Sequence, residues 1–285
     1  MTERFFYRGL GLFLNTLNSV APSKSGQLGF KFFCSPSRRK ITKSQYAFLR
    51  TAEETDIKFN GKLIRHYRWG NGPKKIVFLH GWQSASFRWN QYIELLSKNP
   101  EYTLLAFDAP AHGQSEGKQF TVPAYASLIN KVLEGYGAIH AVVTHSIGSF
   151  SFFYAYAKHK LPNINKLIAL STPGSATEFI SFYKKSLHLN SNTVKSIVEE
   201  FQSIAHDDLD KISLPYLAKN LSIPGLIVHD QKDGLTDFSN ARLLHQHWTQ
   251  AELMTTTGLG HRLRSPEVVN AVLNLLNRHL SILLG

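Results

Sequence analysis

The sequence predicts a doubly wound α/β domain with a mostly parallel sheet and a small helical insertion. Three observations carry this. Short apolar runs recur at 75–81 (KIVFLHG), 102–110 (YTLLAFDAP), 140–146 (HAVVTHS), 166–173 (KLIALSTP) and 225–233 (GLIVHDQKD), with a weaker run, ELMTTT, at 252–257. Each is a block of Val, Ile, Leu and Phe rather than an alternation, the pattern of strands buried on both faces. Stretches of helical periodicity separate the runs, and strand–helix–strand alternation builds a parallel sheet covered by helices. The interval 174–222 carries helical patterns (SFYKKSLHL, NTVKSIVEEFQSI) but no strand, so it reads as a lid inserted between two sheet strands.

Taken in order, residues 1–50 form a basic arm, and 51–285 the α/β domain. In the arm, Leu10, Phe13, Leu14 and Leu17 recur at the spacing of one face of an amphipathic helix. Residues 22–45 are rich in Ser, Pro, Gly and basic side chains and are expected to be a loose connector. DIKFNGKLIRHYRW holds two strand-like segments around Asn60-Gly61, a hairpin signal because both residues tolerate positive φ. Helices are expected over 86–99, with Ser86 as N-cap, and over 121–137, 147–159, 238–248 and 264–284.

Composition bounds the function. The chain has 285 residues, 43% hydrophobic and 18% charged, which excludes a disordered, collagenous or coiled-coil chain. Its single cysteine, Cys34, excludes an internal disulfide and a cysteine-ligated zinc site. The net charge is +12, and residues 1–50 hold nine Lys or Arg against one acid, Glu3. Such a segment suits an anionic surface, although basic side chains are also ordinary solvated residues. The stripe is expected to pack on the body; the rival is an arm facing lipid, giving weak membrane-surface association. No run reaches the ~20 apolar residues of a membrane span. Asn15, Thr16, Asn18 and Ser19 interrupt the first apolar stretch, which makes a secretory signal the minority reading and a cytoplasmic location the expectation. No phosphate-binding glycine loop occurs, so nucleotide binding has no motif behind it; a basic segment can bind nucleic acid, but a solvated surface is the plainer reading and no nucleic-acid partner is expected.

In an open parallel sheet, ligands bind beyond the carboxyl ends of the strands. The polar residues there are His80-Gly81-Trp82, Asp108, His145-Ser146, Thr172, Asp230 to Asp233, and His261. Ser146 lies between a buried strand and a helix, with Gly148 two residues on. That is the context of a nucleophile elbow, G-x-S-x-G, with Thr144 in place of the first glycine; a serine there is also a good N-cap. Serine needs an adjacent base that a third group orients. Asp233 and His261 follow at later strand ends, in the order serine, acid, histidine. Asp230 and Asp237 are rival acids.

At these positions the chain resembles the α/β-hydrolase superfamily, over roughly 57–285. HGW resembles its oxyanion turn, and FDAPAHGQS its D-x-P-G-x-G-x-S loop with Ala111 at the first glycine. THSIGS resembles its elbow, HDQKD its acid turn and GLGH its histidine loop. The resemblance implies the α/β-hydrolase fold and a serine hydrolase acting on a carboxylic ester or related acyl compound. It implies Ser146 as nucleophile, His261 as base, Asp233 as orienting acid, the N–H groups of Trp82 and Ile147 as oxyanion donors, and no cofactor or metal. The alternatives are a non-catalytic ligand-binding protein of this fold, and a carbon–carbon bond hydrolase or acyltransferase on the same residues.

Beside these, His80, Asp108 and His112 are expected to brace loops. His145 is a candidate substrate contact, with packing as the competing role. In the lid, Phe179, Phe182 and Tyr183 are candidate substrate-binding residues for an acyl or alkyl group. The cluster His206, Asp207, Asp208 and Asp210 is read as a helix start rather than a metal site.

Overall fold

A computed structural model describes residues 2–38, 40–205, 208 and 211–278. Its sheet has eight strands in the order β1-β2-β4-β3-β5-β6-β7-β8. The hairpin is β1 (Glu53–Phe59) and β2 (Lys62–Trp69), turning through Asn60 and Gly61 at φ 47° and 71°. Strand β2 lies antiparallel to β4 (Tyr102–Phe107), and all later pairings are parallel. They join β3 (Lys74–Leu79), β5 (Ala141–His145), β6 (Leu167–Leu170), β7 (Gly225–Asp230) and β8 (Ala251–Thr256). Every residue of β4, β5, β6 and β7 is buried. That is why these strands read as continuous apolar runs, since helices cover both faces.

The helices are α1 (Thr2–Val20), α2 (Pro22–Phe33), α3 (Lys43–Leu49), α4 (Asn90–Leu96), α5 (Val122–Tyr136), α6 (Ile147–Lys158), α7 (Ala176–Leu187), α8 (Ser191–Ala205), α9 (Leu214–Leu217), α10 (Ser239–His247) and α11 (Pro266–Asn277). The end of the helix expected over 264–284 lies outside the described residues beyond 278. No helix among the described residues is long and apolar enough to cross a membrane.

The expected connector over 22–45 is corrected: its first half is α2. Proline is tolerated in a helix's first turn, where its missing N–H would be unpaired anyway. The small residues that suggested a connector make a close helix contact instead. A Cβ on Gly26 would sit 2.4 Å from the Ser196 carbonyl oxygen, and one on Gly29 would meet the Ile197 side chain at 2.6 Å.

Helices α1 and α2 therefore join α7 and α8 in a four-helix cap with its own core of Leu14, Phe30, Cys34, Leu187, Leu189 and Ile197. Asn18 Nδ2 donates to Ser196 Oγ at 3.0 Å, and Tyr183 Oη donates to the Gly29 carbonyl at 3.0 Å. The amphipathic stripe packs on this cap through Leu14, with Leu10 and Leu17 half-buried; Phe13 faces outward. Burial pushes the Cys34 thiol up to about 12, so it is a packing residue and not a reactive one.

Two glycines of α1 make a matched test. A Cβ on Gly11 would overlap the Leu187 carbonyl, whereas one on Gly9 would meet nothing within 4 Å. Gly9→Ala should stabilise by about 0.5–1 kcal/mol through helix propensity. Gly11→Ala should destabilise by about 1–3 kcal/mol through overpacking. Thermal melts of the two variants should therefore move in opposite directions.

Candidate active site

The carboxyl end of β5 delivers Ser146 into a sharp turn before α6, with φ 54° and ψ −126°. A non-glycine residue held there stores roughly 1–3 kcal/mol of strain. Three contacts impose it. The Ser146 N–H donates to the Leu170 carbonyl at 2.9 Å. Gly148 packs so closely on the end of β3 that a Cβ would lie 2.5 Å from the His80 carbonyl oxygen. Thr144 Oγ1 is 2.8 Å from both the Ile168 carbonyl and Ser149 Oγ, tying the elbow to β6 and to α6.

The expected serine, histidine and acid come together. His261 Nε2 lies 2.9 Å from Ser146 Oγ, and His261 Nδ1 lies 2.8 Å from Asp233 Oδ2. The Asp233 carboxylate is held on all sides: Oδ1 accepts from the Leu235 and Thr236 N–H groups at 2.8 and 3.1 Å, and Oδ2 from Thr236 Oγ1 at 2.8 Å. Burial would raise its pKa, but the bonds from His261, Leu235 and Thr236 outweigh burial and hold it well below the usual carboxylate range. Ser146 is 8% exposed, so the site is nearly closed. A groove of about 850 Å³ between α3 and β2 is lined by none of these residues.

The rival acids have other work. Asp230 accepts from Thr256 Oγ1 and from the Leu259 and Gly258 N–H groups, and so anchors the start of the loop that carries His261. Asp237 accepts from the Ser239 N–H at 2.8 Å at the start of α10. Asp208 pairs with Lys211 at 3.1 Å, while His206, Asp207 and Asp210 lie outside the described residues. Among the described residues no group of three His, Cys, Asp or Glu could hold a metal ion.

The turn after β3 lies against the serine: a Cβ on Gly81 would sit 3.0 Å from Ser146 Cβ. His80 shapes this turn, its Nδ1 2.8 Å from the Gly81 carbonyl and its Nε2 accepting from the Ala109 N–H at 2.9 Å. Asp108 is buried and accepts from the Ser86 N–H and Oγ, the Gln114 N–H and Tyr67 Oη, bracing the adjoining loop as expected. His112 packs edge-on to Trp82 and Phe120. Ala111 holds a positive φ of 65°, in the left-handed region that favours glycine. Ile147 opens α6, so its N–H has no intrahelical partner.

Three expected substrate contacts are corrected. His145 is buried, and its Nε2 donates to the carbonyl of His261 at 2.9 Å. Alternation along β5 sends it away from Thr144 and under the histidine loop. Phe182 is exposed on the outside of α7. Tyr183 packs at a tilt against Phe33, ring centroids 5.0 Å apart, inside the cap, because α1 and α2 claim that side of the lid. Phe179 does face the body, edge-on to Phe150 at 5.4 Å.

Sequence reasoning missed three residues. Thr236 sits 3.3 Å from His261 Nδ1 besides bonding Asp233, and the Asp-x-x-Thr spacing of a carboxylate-centred turn could have revealed it. His229 is fully buried 3.5 Å from Asp233, a polar residue in an otherwise apolar run. Arg88 Nη2 donates to the carbonyl of Arg262 at 2.9 Å, so Arg88 and His145 hold successive carbonyls of the histidine loop. Nothing local in the sequence signals that pairing.

The strand order, the antiparallel β2 and the strained serine after β5 define the α/β-hydrolase fold, and the chain has it. A family model for the alpha/beta hydrolase fold matches residues 74–204. Solved structures agree. An esterase (EaEST) from Exiguobacterium antarcticum superposes with a TM-score of 0.60 at 17% identity, covering 79% of this chain and 100% of its own. Mouse alpha/beta hydrolase domain-containing protein 10 gives 0.62 at 14% identity, covering 79% and 97%. An esterase, RhEst1, from Rhodococcus sp. ECU1013 gives 0.59 at 18%, covering 79% and 98%. No curated protein matches the sequence.

Proposed function

We propose that the chain is a serine hydrolase that cleaves a carboxylic ester or related acyl compound through an acyl-enzyme intermediate. The observation that carries this reading is the continuous hydrogen-bonded line Asp233–His261–Ser146 ending on a strained serine. In this reading Ser146 Oγ attacks the acyl carbonyl while His261 Nε2 takes its proton. His261 then protonates the leaving alcohol, leaving an acyl-serine. A water, deprotonated by the same nitrogen, attacks that acyl group; as the bond from the acyl carbon to Ser146 Oγ breaks, His261 returns the proton to Oγ, releasing the acid and the free serine. Asp233 keeps the proton on Nδ1 and stabilises the imidazolium. The N–H groups of Ile147 and Trp82 receive the oxyanion, and the positive end of α6 adds to their field. Ile147 beside the serine and Trp82 in the turn facing it are both packed on the main apolar core, which favours an apolar acyl or alkyl group.

A fluorophosphonate probe tests the reading, because an activated serine displaces its fluoride and is phosphonylated. The wild-type chain should label stoichiometrically and Ser146→Ala should not label at all, with unchanged thermal melts. A panel of p-nitrophenyl esters then grades the acyl chain. Undiminished labelling of the alanine variant, or none of the wild type, would overturn the proposal.

A further inference from the structure

Helix α1 is apolar on two sides. At 100° per residue, Gly11, Leu14 and Asn18 share the side buried in the cap, and Phe5, Phe6, Leu12, Phe13 and Val20 share the opposite side. These five range from 52% exposed at Phe13 to 79% at Val20. Large apolar side chains grouped on a free helix face mark an interaction surface rather than ordinary scatter. Beyond Glu3, the charge carried by α1 and α2 themselves has one sign. From Arg4 to Ala52 the sequence contains no Asp or Glu, and Arg8, Lys24 and Lys31 are exposed on α1 and α2.

We propose that this outer face of the cap docks on an anionic lipid bilayer, with α1 lying in the plane of the headgroups. An in-plane helix needs an apolar side that enters the acyl boundary and flanking bases that meet lipid phosphates. Helix α1, with its neighbour α2, supplies both, and it is not long and apolar enough to span. The charge decides between lipid and a second copy of the chain. Pairing two such faces would bring together two α1–α2 segments that, beyond Glu3, each carry only positive charge, whereas an anionic membrane provides the missing charge. The buried side of α1 touches α7 and α8 through Gly11 and Asn18, so docking leaves the cap assembled. Docking needs nothing from Ser146, and its failure would leave the hydrolase reading intact.

The test is co-sedimentation of the full chain with vesicles of phosphatidylcholine alone and of phosphatidylcholine with phosphatidylglycerol, at low and physiological salt. Two surface variants accompany it: Phe5→Ser with Phe6→Ser and Phe13→Ser, and Arg8→Gln with Lys24→Gln and Lys31→Gln. The full chain should partition onto the anionic vesicles. The serine variant should bind roughly tenfold more weakly or worse to both vesicle types. The glutamine variant should lose about fivefold per charge, roughly a hundredfold in all, on anionic vesicles at low salt, and little on neutral ones. Both variants should keep the wild-type melting curve; if the serine variant does not fold, the glutamine variant still decides, since its side chains are on the surface. Absence of the full chain from both vesicle pellets, or binding that neither variant weakens, would overturn the proposal. So would a dimer in sedimentation velocity that the serine variant dissolves while vesicles bind neither form.

Discussion

Asp233→Asn should lower kcat by about 10⁴-fold without unfolding the protein. The argument comes from the turn. Asp233 Oδ1 accepts from two backbone N–H groups, those of Leu235 and Thr236. An asparagine would satisfy both with its carbonyl oxygen and aim its NH2 at His261 Nδ1. That nitrogen would then have to accept, moving the imidazole proton to Nε2, which would donate to Ser146 Oγ instead of removing its proton. Asp237→Asn, which changes only the bond at the start of α10, should leave kcat within a few-fold. Asp230→Asn should act mainly on stability, through the loop bonds it makes. Steady-state rates on a p-nitrophenyl ester, with thermal melts alongside, check all three; a crippling effect of Asp237→Asn would mean that the acid turn is misassigned.

Acid should unfold the chain well above the ordinary carboxylate range. Burial drives His66 and His80 down to about 4 and His112 to about 3, and burial also takes His145 well below its usual value. The unfolded chain takes up these protons near pH ~6.5. Between that pH and the folded values, the unfolded state binds more protons than the native state, so stability falls as pH falls. Each of these imidazoles removes stability as the pH falls below ~6.5, and together they act against a typical total of only about 5–15 kcal/mol. Asp108 and Glu178 work the other way, because burial raises their pKa values and folding favours their protons, but they are two groups against four histidines. Circular-dichroism melts from neutral pH to about pH 4 should show a steep loss of midpoint beginning below ~6.5. A flat profile over that span would show that these imidazoles are not buried neutral.

Chain order was the strongest guide to the site. Ser146, Asp233 and His261 were legible because strand ends in a parallel sheet gather on one edge, so three residues far apart in sequence needed only correct strand assignments to be brought together. The hairpin was legible from Asn60-Gly61 for the same local reason. The cap was not. Glycine and serine in 22–33 look like a flexible linker unless one knows that Gly26 and Gly29 face α8. That knowledge depends on contacts nearly the whole chain apart, as between Asn18 and Ser196. His145, Phe182 and Tyr183 were misread for a related reason. Their orientation is set by what else packs on α7 and on the histidine loop, and no periodicity within either segment records it. Thr236 and Arg88 act through hydrogen bonds to backbone and carboxylate, which leave no apolar pattern to find.

The cap also has a history within each synthesis of the chain. Its two halves are far apart in translation: the Asn18–Ser196 bond spans 178 residues. At about 5–20 residues per second, α1 and α2 emerge roughly 10–35 s before α8 exists to receive them. Throughout that interval Leu14 and Phe30 have no partner from the second half, and the outer aromatic face of α1 is already displayed. The surface that completes the cap is made only after β5 and Ser146 have been translated.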